Sequence, residues 1–186
     1  RSRGLGDVYK RQALEPLVIH RYGRIPGKAE IYDLETEMLF IARTRLLKDV
    51  DAARLSLDDI LTTSFLVHLH EMLFSGIWTW AGALRRTGLN IGVDPHTIST
   101  ELHTAFGNLG YQASEMLLTA RQLGVAVHAE LVRIHPFSDG NGRVTRLMAD
   151  LVFAAAQQLP HAQEYDWDLD KTCLLYTSPS PRDRTR

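Results

Sequence analysis

The sequence predicts an all-α domain, and three observations support that fold class. Apolar residues recur mostly in three- and four-residue steps, which is typical of amphipathic helices. The helical stretches begin at capping signals: Ser56 with Asp59 three residues on, and Asp94 directly before Pro95. The alternation that is typical of strands occurs in one stretch, residues 84–93. We therefore expect a helical bundle that carries one short β-hairpin.

The two ends of the chain are expected to be translated adapter DNA. One DNA sequence that encodes residues 4–12 encodes residues 173–181 when its complementary strand is read in another frame. Such an inverted repeat is not expected by chance, so residues 1–12 and 173–186 are excluded from the fold as adapter scars. The insert, residues 13–172, is expected to be a single domain cut from a longer gene at one or both ends.

Composition limits the classes of function that the insert can have. Without the scars, 14 of the 21 Lys and Arg residues and 20 of the 22 Asp and Glu residues remain, so no nucleic-acid partner is expected. The one cysteine, Cys173, lies in a scar, which excludes disulfides and thiolate catalysis and fits a reducing, cytoplasmic location. No apolar run is long enough to cross a bilayer, so no membrane partner is expected either.

The first predicted helix lies around residues 31–41. Four apolar residues recur at helical spacing and are expected to face the core: Ile31, Leu34, Met38 and Ile41. Three charged residues fall off that face: Glu35, Arg43 and Arg45. A second helix is predicted from the Ser56 cap to about Phe74, with Trp78 and Trp80 packing at its exit. In that helix His68 and His70 lie two residues apart, on different faces, so no zinc site is predicted.

Three further helices and the hairpin complete the predicted fold. The third helix starts at Asp94–Pro95, the fourth runs from Ser114 or Ala120 to Ile134, and the fifth from Arg143 to Gln157. Between the second and third helices, turn residues and alternating apolar residues predict the hairpin over residues 84–93. Arg85 and Arg86 are expected to be solvated, or to steer an acidic target.

The junction between the fourth and fifth helices, HPFSDGNGRVTR at residues 135–146, holds groups suited to binding anions. The first-turn N–H groups of a helix have no intrahelical partner and attract negative charge. Gly140 and Gly142 remove side chains that would block a phosphate and permit positive φ. Arg143 and Arg146, three residues apart, are placed to grip further phosphate oxygens.

Two more residues of the junction suggest chemistry as well as binding. Asp139 would repel a bare phosphate but is suited to hold a Mg²⁺ ion that bridges a polyphosphate. His135 is the side chain of the junction that can accept a proton near neutral pH. The set as a whole indicates phosphoryl or nucleotidyl transfer, whereas each member alone also fits an ordinary capped loop with solvated arginines.

The same twelve residues resemble the signature of the Fic family, H-x-F-x-[D/E]-G-N-G-R-x-x-R. All eight defined positions are filled: His135, Phe137, Asp139, Gly140, Asn141, Gly142, Arg143 and Arg146. WTWAG at 78–82, NIGVDP at 90–95 and the HAELVRIHPF run into the motif resemble a bacterial subgroup labelled mobile mystery protein B. The resemblance covers residues 28–157 and implies a Fic-like helical bundle with a short β-hairpin flap.

This resemblance implies a protein adenylyltransferase, which transfers AMP from ATP to a Tyr, Ser or Thr hydroxyl of a target protein. His135 would be the base and Asp139 the Mg²⁺ ligand, while Phe137 would anchor the loop in the core. The other motif residues would hold the nucleotide, with the α-phosphate at Gly140, Asn141 and Gly142 and the β- and γ-phosphates at Arg143 and Arg146. Leu89, Asn90 and Ile91 of the flap would dock the target.

Several alternatives stay open at this point. A related transferase would move UMP or phosphocholine through the same loop, and a Fic enzyme can also remove AMP by hydrolysis. A non-catalytic module that only binds nucleotide is the alternative from another class. The related Doc branch phosphorylates its targets, but its motif ends differently, with alanine and lysine.

Regulation is also left open by the sequence. The resemblance implies an inhibitory [S/T]-x-x-x-E-[G/N] helix in many members, and the nearest match here, Thr97 to Glu101, is followed by Leu102. A separate antitoxin could supply the glutamate, the helix could lie in a truncated end, or this chain could be uninhibited. A bacterial cytoplasmic toxin is therefore one expectation, with a secreted effector as the alternative.

Overall fold

The structure is a computed structural model that describes residues 13–157, Tyr165 and Trp167. Both predicted scars and most of residues 158–172 lie outside the described residues. The described part contains the following helices: α1 (Pro16–Tyr22), α2 (Lys28–Asp51), α3 (Leu57–Ile60), α4 (Thr63–Phe74), a 3-10 turn (Pro95–Thr97), α5 (Ile98–Ser114), α6 (Ala120–Ile134) and α7 (Asn141–Gln157). None of these helices combines the length and apolar character needed to span a membrane.

The predicted all-α class is confirmed, and the predicted second helix is split in two. Ser56 caps α3 by accepting the Asp59 N–H at 3.2 Å, and the Asp59 carboxylate accepts the Ser56 N–H at 3.0 Å. Thr62 then caps α4 by accepting the Phe65 N–H at 3.1 Å. The break therefore lies at Thr62, whose side chain satisfies an N–H group that a continuous helix would bond internally.

Helix α7 is the centre of the bundle. It packs along α6 and also contacts α2, α3 and α4. Most of its residues are buried, including Val144, Leu147, Met148 and Leu151, as expected for a helix that is covered on nearly all sides. Because the junction 135–140 leads into the first turn of α7, the core fixes the position of the motif.

The orientation predicted for α2 is wrong at two residues. Ile41, expected in the core, is 53% exposed, whereas Glu35 is only 8% exposed. The Glu35 carboxylate accepts a hydrogen bond from the Trp78 indole N–H at 2.9 Å and forms an ion pair with Arg143 at 2.5 Å. These two partners from other parts of the chain offset the cost of burying the charge.

The predicted hairpin over residues 84–93 does not form in the described structure. The segment contains one isolated antiparallel bridge, from Leu84 to Phe137, and otherwise runs as an irregular loop. The Arg85 guanidinium takes the carbonyl groups of Thr87 and Val93 as hydrogen-bond acceptors. The Arg85 side chain therefore occupies carbonyl groups that would accept backbone N–H groups in a hairpin.

Helix α6 packs against α7 through fully buried side chains, so truncating one of them is expected to destabilise the protein. Leu131→Ala is expected to lower the free energy of unfolding by about 2–5 kcal/mol, because Leu131 is 0% exposed and leaves a cavity. The same change at Leu117, which is 61% exposed, is expected to cost no more than about 0.5 kcal/mol. Chemical denaturation of both variants measures the difference, and equal losses would contradict the described packing of α6.

Candidate active site

The candidate site starts where α6 ends at His135. His135 has φ 53° and ψ 63°, the left-handed conformation, and its N–H donates to the Leu131 carbonyl at 2.9 Å. This conformation is uncommon for residues other than glycine. It turns the chain at once from α6 toward the core, so that His135 stays at the edge while Phe137 is fully buried.

Asn141 closes the loop around Phe137. The Asn141 Oδ1 accepts the Phe137 N–H at 2.9 Å, and the Asn141 Nδ2 donates to the Phe137 carbonyl at 2.7 Å. Both polar ends of this buried side chain are therefore bonded to the loop itself. The amide side chain that we predicted at the α-phosphate is thus engaged in shaping the loop, whereas the first-turn N–H groups of a helix have no intrahelical partner.

His70 supports the same loop from α4 and is a site residue that the sequence analysis missed. Its ring stacks on Phe137, with centroids 3.7 Å apart and planes 7° apart. The Nδ1 accepts the Gly82 N–H at 2.9 Å, so Nε2 carries the proton and donates to the Asp139 carbonyl at 3.2 Å. Burial lowers the pKa of His70 to about 4, which keeps the ring neutral and both bonds in place at neutral pH.

The two motif glycines serve different purposes. Gly140 has φ 76°, and a Cβ atom there would lie 2.6 Å from Phe74 Cε2. Its N–H donates to the Asp139 Oδ1 at 2.8 Å. At Gly142 φ is not positive, and a Cβ atom would meet nothing closer than 3.5 Å. The predicted positive φ thus holds at Gly140 alone, and Gly142 leaves the surface open in front of the helix.

The two motif arginines are in different environments. Arg143 is engaged inward, by the ion pair with Glu35 and by the Phe74 ring, whose centroid lies 4.8 Å from the guanidinium carbon. Arg146 is exposed on the same helix end. Both were predicted to grip phosphates, and the structure presents Arg146 to solvent while Arg143 shares its charge with a carboxylate.

The electrostatic surroundings of His135 favour the neutral imidazole. Burial is the largest cause that lowers the pKa of His135, and the positive charge of Arg85 is the second. The Val132 carbonyl and the Asp139 carboxylate act in the opposite direction. Since Nδ1 is buried, Nε2 is the ring nitrogen left to meet a substrate. His135 is therefore poised as a proton acceptor at neutral pH.

The segment 85–93 passes over His135 and is anchored on both sides of it. At its start the Arg85 N–H donates to the Pro136 carbonyl at 2.9 Å, and at its end the Val93 N–H donates to the Ile134 carbonyl at 3.3 Å. The three residues predicted to dock the target lie between these anchors and are exposed: Leu89, Asn90 and Ile91. The segment therefore lies over His135 without the hairpin form that we predicted, and its role in docking a target stays a prediction.

The prediction that Arg85 is solvated is wrong. Its side chain is 3% exposed, whereas Arg86 is exposed as predicted. The carbonyl groups at the end of α6 and in segment 85–93 compensate the buried charge, because they are strong hydrogen-bond acceptors. Residue spacing along the sequence does not reveal these acceptors. The position of Arg85, five residues after Trp80, gives no indication in the sequence that its side chain is buried.

The fit of Asp139 to Mg²⁺ follows from the chemistry of that ion. Among the described residues no group of three or more His, Cys, Asp or Glu side chains could enclose a metal. Mg²⁺ at nucleotide sites is usually held by about one or two carboxylates together with substrate phosphates. The half-buried carboxylate of Asp139, beside the first turn of α7, fits that arrangement.

Comparison with known proteins shows the family to which the chain belongs. The sequence model of the Fic/DOC family matches residues 60–153. The chain belongs to the Fic/DOC family. It is 29% identical to Protein adenylyltransferase Fic of Culex quinquefasciatus over 119 residues, which cover 61% of this chain and 24% of the relative. It is also 29% identical to Protein adenylyltransferase fic-1 of Caenorhabditis elegans over 138 residues, covering 69% and 25%. The Fic/DOC chain thus spans about a quarter of the length of these curated relatives.

Solved structures support the Fic fold. A Fic domain containing signaling protein from Bacteroides thetaiotaomicron superimposes with a TM-score of 0.62 at 18% identity, covering 91% of this chain and 69% of that chain. The Type IV secretion system effector protein BepA superimposes with a TM-score of 0.51 at 20% identity, covering 81% and 59%. The bundle around the motif is therefore the one that Fic proteins share.

The two motif glycines give a matched pair of variants. Gly140→Ala is expected to lower the free energy of unfolding by about 1–3 kcal/mol, because the new Cβ atom meets Phe74 at 2.6 Å in a left-handed backbone. Gly142→Ala is expected to change it by less than about 1 kcal/mol, because its neighbours lie at ordinary contact distance. Denaturation curves of the two variants test this difference, and a destabilised Gly142→Ala protein would contradict it.

Proposed function

We propose that this Fic/DOC protein is a protein adenylyltransferase that moves AMP from ATP to a Tyr, Ser or Thr hydroxyl of a target protein. The observation that carries the proposal is the placement of His135, a neutral base beside the first turn of α7. The names of the adenylyltransferase relatives support this activity at the level of the family. ATP is the implied donor and a hydroxyl-bearing protein the implied acceptor.

In the proposed reaction, His135 Nε2 takes the proton of the target hydroxyl while that oxygen attacks the α-phosphorus. The new O–P bond forms as the bond to the bridging oxygen of the β-phosphate breaks, and pyrophosphate leaves. The N–H groups of the first α7 turn, at Asn141 and Gly142, stabilise charge on the α-phosphate, and Arg146 that on the departing phosphates. Mg²⁺ held by Asp139 would neutralise part of the polyphosphate charge.

Segment 85–93 is the proposed docking surface for the target. Leu89 and Ile91 are 42% and 39% exposed, and they flank Asn90 in the stretch between the two anchors of the segment. An extended target segment can be held there through backbone hydrogen bonds with apolar side chains gripping the modified residue. Arg85 occupies the carbonyls of Thr87 and Val93, so the part of the segment proposed to meet a target is residues 88–92.

Other donors and a binding-only role are the rival proposals. The motif loop contacts phosphates, so UMP or phosphocholine transfer would use the same residues, and donor competition against ATP separates these activities. Removal of AMP would require a positioned acid in addition. Binding of ATP without any transfer would favour the non-catalytic module. Membership of the mobile mystery protein B subgroup and a role as a bacterial cytoplasmic toxin also stay proposals.

The transfer itself is tested with the full chain, Mg²⁺ and ATP labelled at the α-phosphate. We expect covalent label on the protein itself or on proteins of a bacterial lysate, and a loss of about 10²–10⁴-fold in rate for His135→Ala, as removal of a general base predicts. His96→Ala, at an exposed histidine away from the motif, is the matched control. Transfer that survives in His135→Ala, or its absence in a wild-type protein that binds ATP, would contradict the proposal.

Glu35 bears on how this activity is controlled. Arg143 is ion-paired with Glu35, so β- and γ-phosphates that approach Arg143 meet the carboxylate. We propose that the nucleotide must displace Glu35 from Arg143 or bind beside it against charge repulsion. An antitoxin that supplies a glutamate remains the alternative proposal for inhibition, and in that case Arg146, the exposed arginine, would be the residue it contacts.

Neutralising this carboxylate tests the role of Glu35. Glu35→Gln is expected to tighten ATP–Mg²⁺ binding by about tenfold, because a repulsive charge beside Arg143 is removed while the amide oxygen can still accept the Trp78 N–H. Glu37→Gln, at an exposed position of the same helix, is the control and should bind ATP as the wild type does. Calorimetric titration measures both, and weaker binding in Glu35→Gln would show that Glu35 instead positions Arg143.

A further inference from the structure

The side chain of Arg85 forms a connection that no part of the motif provides. Its guanidinium donates hydrogen bonds to four backbone carbonyls. Two of these acceptors end helix α6, namely His135, 2.6 Å from Nε, and Ile134, 3.3 Å from Nη2. The other two lie in the segment over the site, namely Thr87, 3.0 Å from Nη1, and Val93. One buried side chain thus bonds the residue that carries the base and both ends of the segment.

These bonds act on a residue whose backbone needs support. His135 is in the left-handed conformation, which is unfavourable for side chains other than glycine and persists where the surroundings determine it. The Arg85 Nε bond falls on the carbonyl of His135 itself. It therefore holds the peptide group that sets the direction of the imidazole.

The segment approaches the base closely at Gly92. Gly92 has φ 95°, and a Cβ atom there would lie 2.7 Å from His135 Cβ and 2.7 Å from Arg85 Nη2. The backbone of the segment is thus packed directly against both residues. A shift of the segment along the site would collide with His135 or break the bonds to Arg85.

The positive charge of Arg85 also fits its location. The last carbonyl groups of α6 carry the negative end of the helix dipole, which stabilises a cation there. The partners of the guanidinium in the described part of the chain are these carbonyls and those of the segment. The pKa of Arg85 is lowered by burial, which Asp94 opposes, and the side chain stays charged at neutral pH.

We propose that Arg85 is a positioning residue that keeps residues 87–93 of the target-docking segment in register with His135. The docking role of the segment rests on the proposed function, whereas the register between segment and base does not. Arg85 acts through the backbone of Thr87, Val93 and His135 and touches no reacting atom. It adjusts how a bound acceptor hydroxyl meets the base, and it leaves the phosphate-binding turn of α7 unchanged.

Three variants of the full chain test this assignment. Arg85→Gln removes most of the bonds, Arg85→Lys keeps the charge but not the fork of donors, and Arg86→Gln removes a neighbouring exposed arginine as the control for the exchange readout alone. The first readout is amide hydrogen exchange of the Val93 N–H, which donates to the Ile134 carbonyl at the end of the segment, with the denaturation midpoint measured alongside. We expect exchange about tenfold faster or more in Arg85→Gln, an intermediate rate in Arg85→Lys and no change in Arg86→Gln.

The second readout separates positioning from a general loss of structure. ATP–Mg²⁺ binding to Arg85→Gln is expected to stay within about twofold of the wild type, while the initial rate of AMP transfer falls by about tenfold or more. ATP binding that falls in parallel with transfer would overturn the assignment, as would exchange of the Val93 N–H equal to that of the wild type. A wild-type protein that transfers nothing refutes the proposed function, yet the exchange comparison still decides the role of Arg85.

Discussion

The structure depends on how the loop between α6 and α7 satisfies its backbone polar groups while it runs through the core. A buried loop lacks the ladder of bonds that helices and sheets supply, and each unpaired group there costs about 1–3 kcal/mol. Side chains replace the ladder. Asn141 bonds both polar groups of Phe137, His70 bonds the carbonyl of Asp139, and Arg85 bonds that of His135. These side chains belong to separate parts of the chain, and together their hydrogen bonds hold the loop in one conformation.

The same constraint explains which features could be predicted from the sequence. Helix positions, the Ser56 and Asp94 caps and the motif residues are local signals, and the structure contains the corresponding elements. Glu35 was missed on the inward face of α2 because it counted as polar, although it lies seven and eleven residues before the buried Ala42 and Leu46. That spacing places Glu35 on the buried stripe and was the available signal.

Segment 84–93 failed as a hairpin for a different reason. Its alternation and turn residues satisfied the local rules, but they say nothing about a side chain that competes for its carbonyl groups. Arg85 is such a side chain, because it takes the Thr87 and Val93 carbonyls of the segment. It also bonds the carbonyl of His135, which is 50 residues away in sequence and which no local rule takes into account. His70 was missed in the same way, because a histidine with two backbone partners 12 and 69 residues away resembles any other helical histidine in the sequence.

The site is consequently the product of two stretches that run side by side, residues 70–93 and 134–141. Leu84 pairs with Phe137, Arg85 with Pro136 and Val93 with Ile134, so the order of one stretch is reversed relative to the other. The motif contains the proposed base and the two arginines, while the first stretch contributes His70 and Arg85, whose side chains bond the backbone of the motif loop. Arg85 is charged as well, and its positive charge lowers the pKa of His135, so the first stretch helps to keep the imidazole neutral. Glu35 is the exception, because it lies outside both stretches and brings a negative charge to Arg143. It is the residue proposed to act against nucleotide binding at the site.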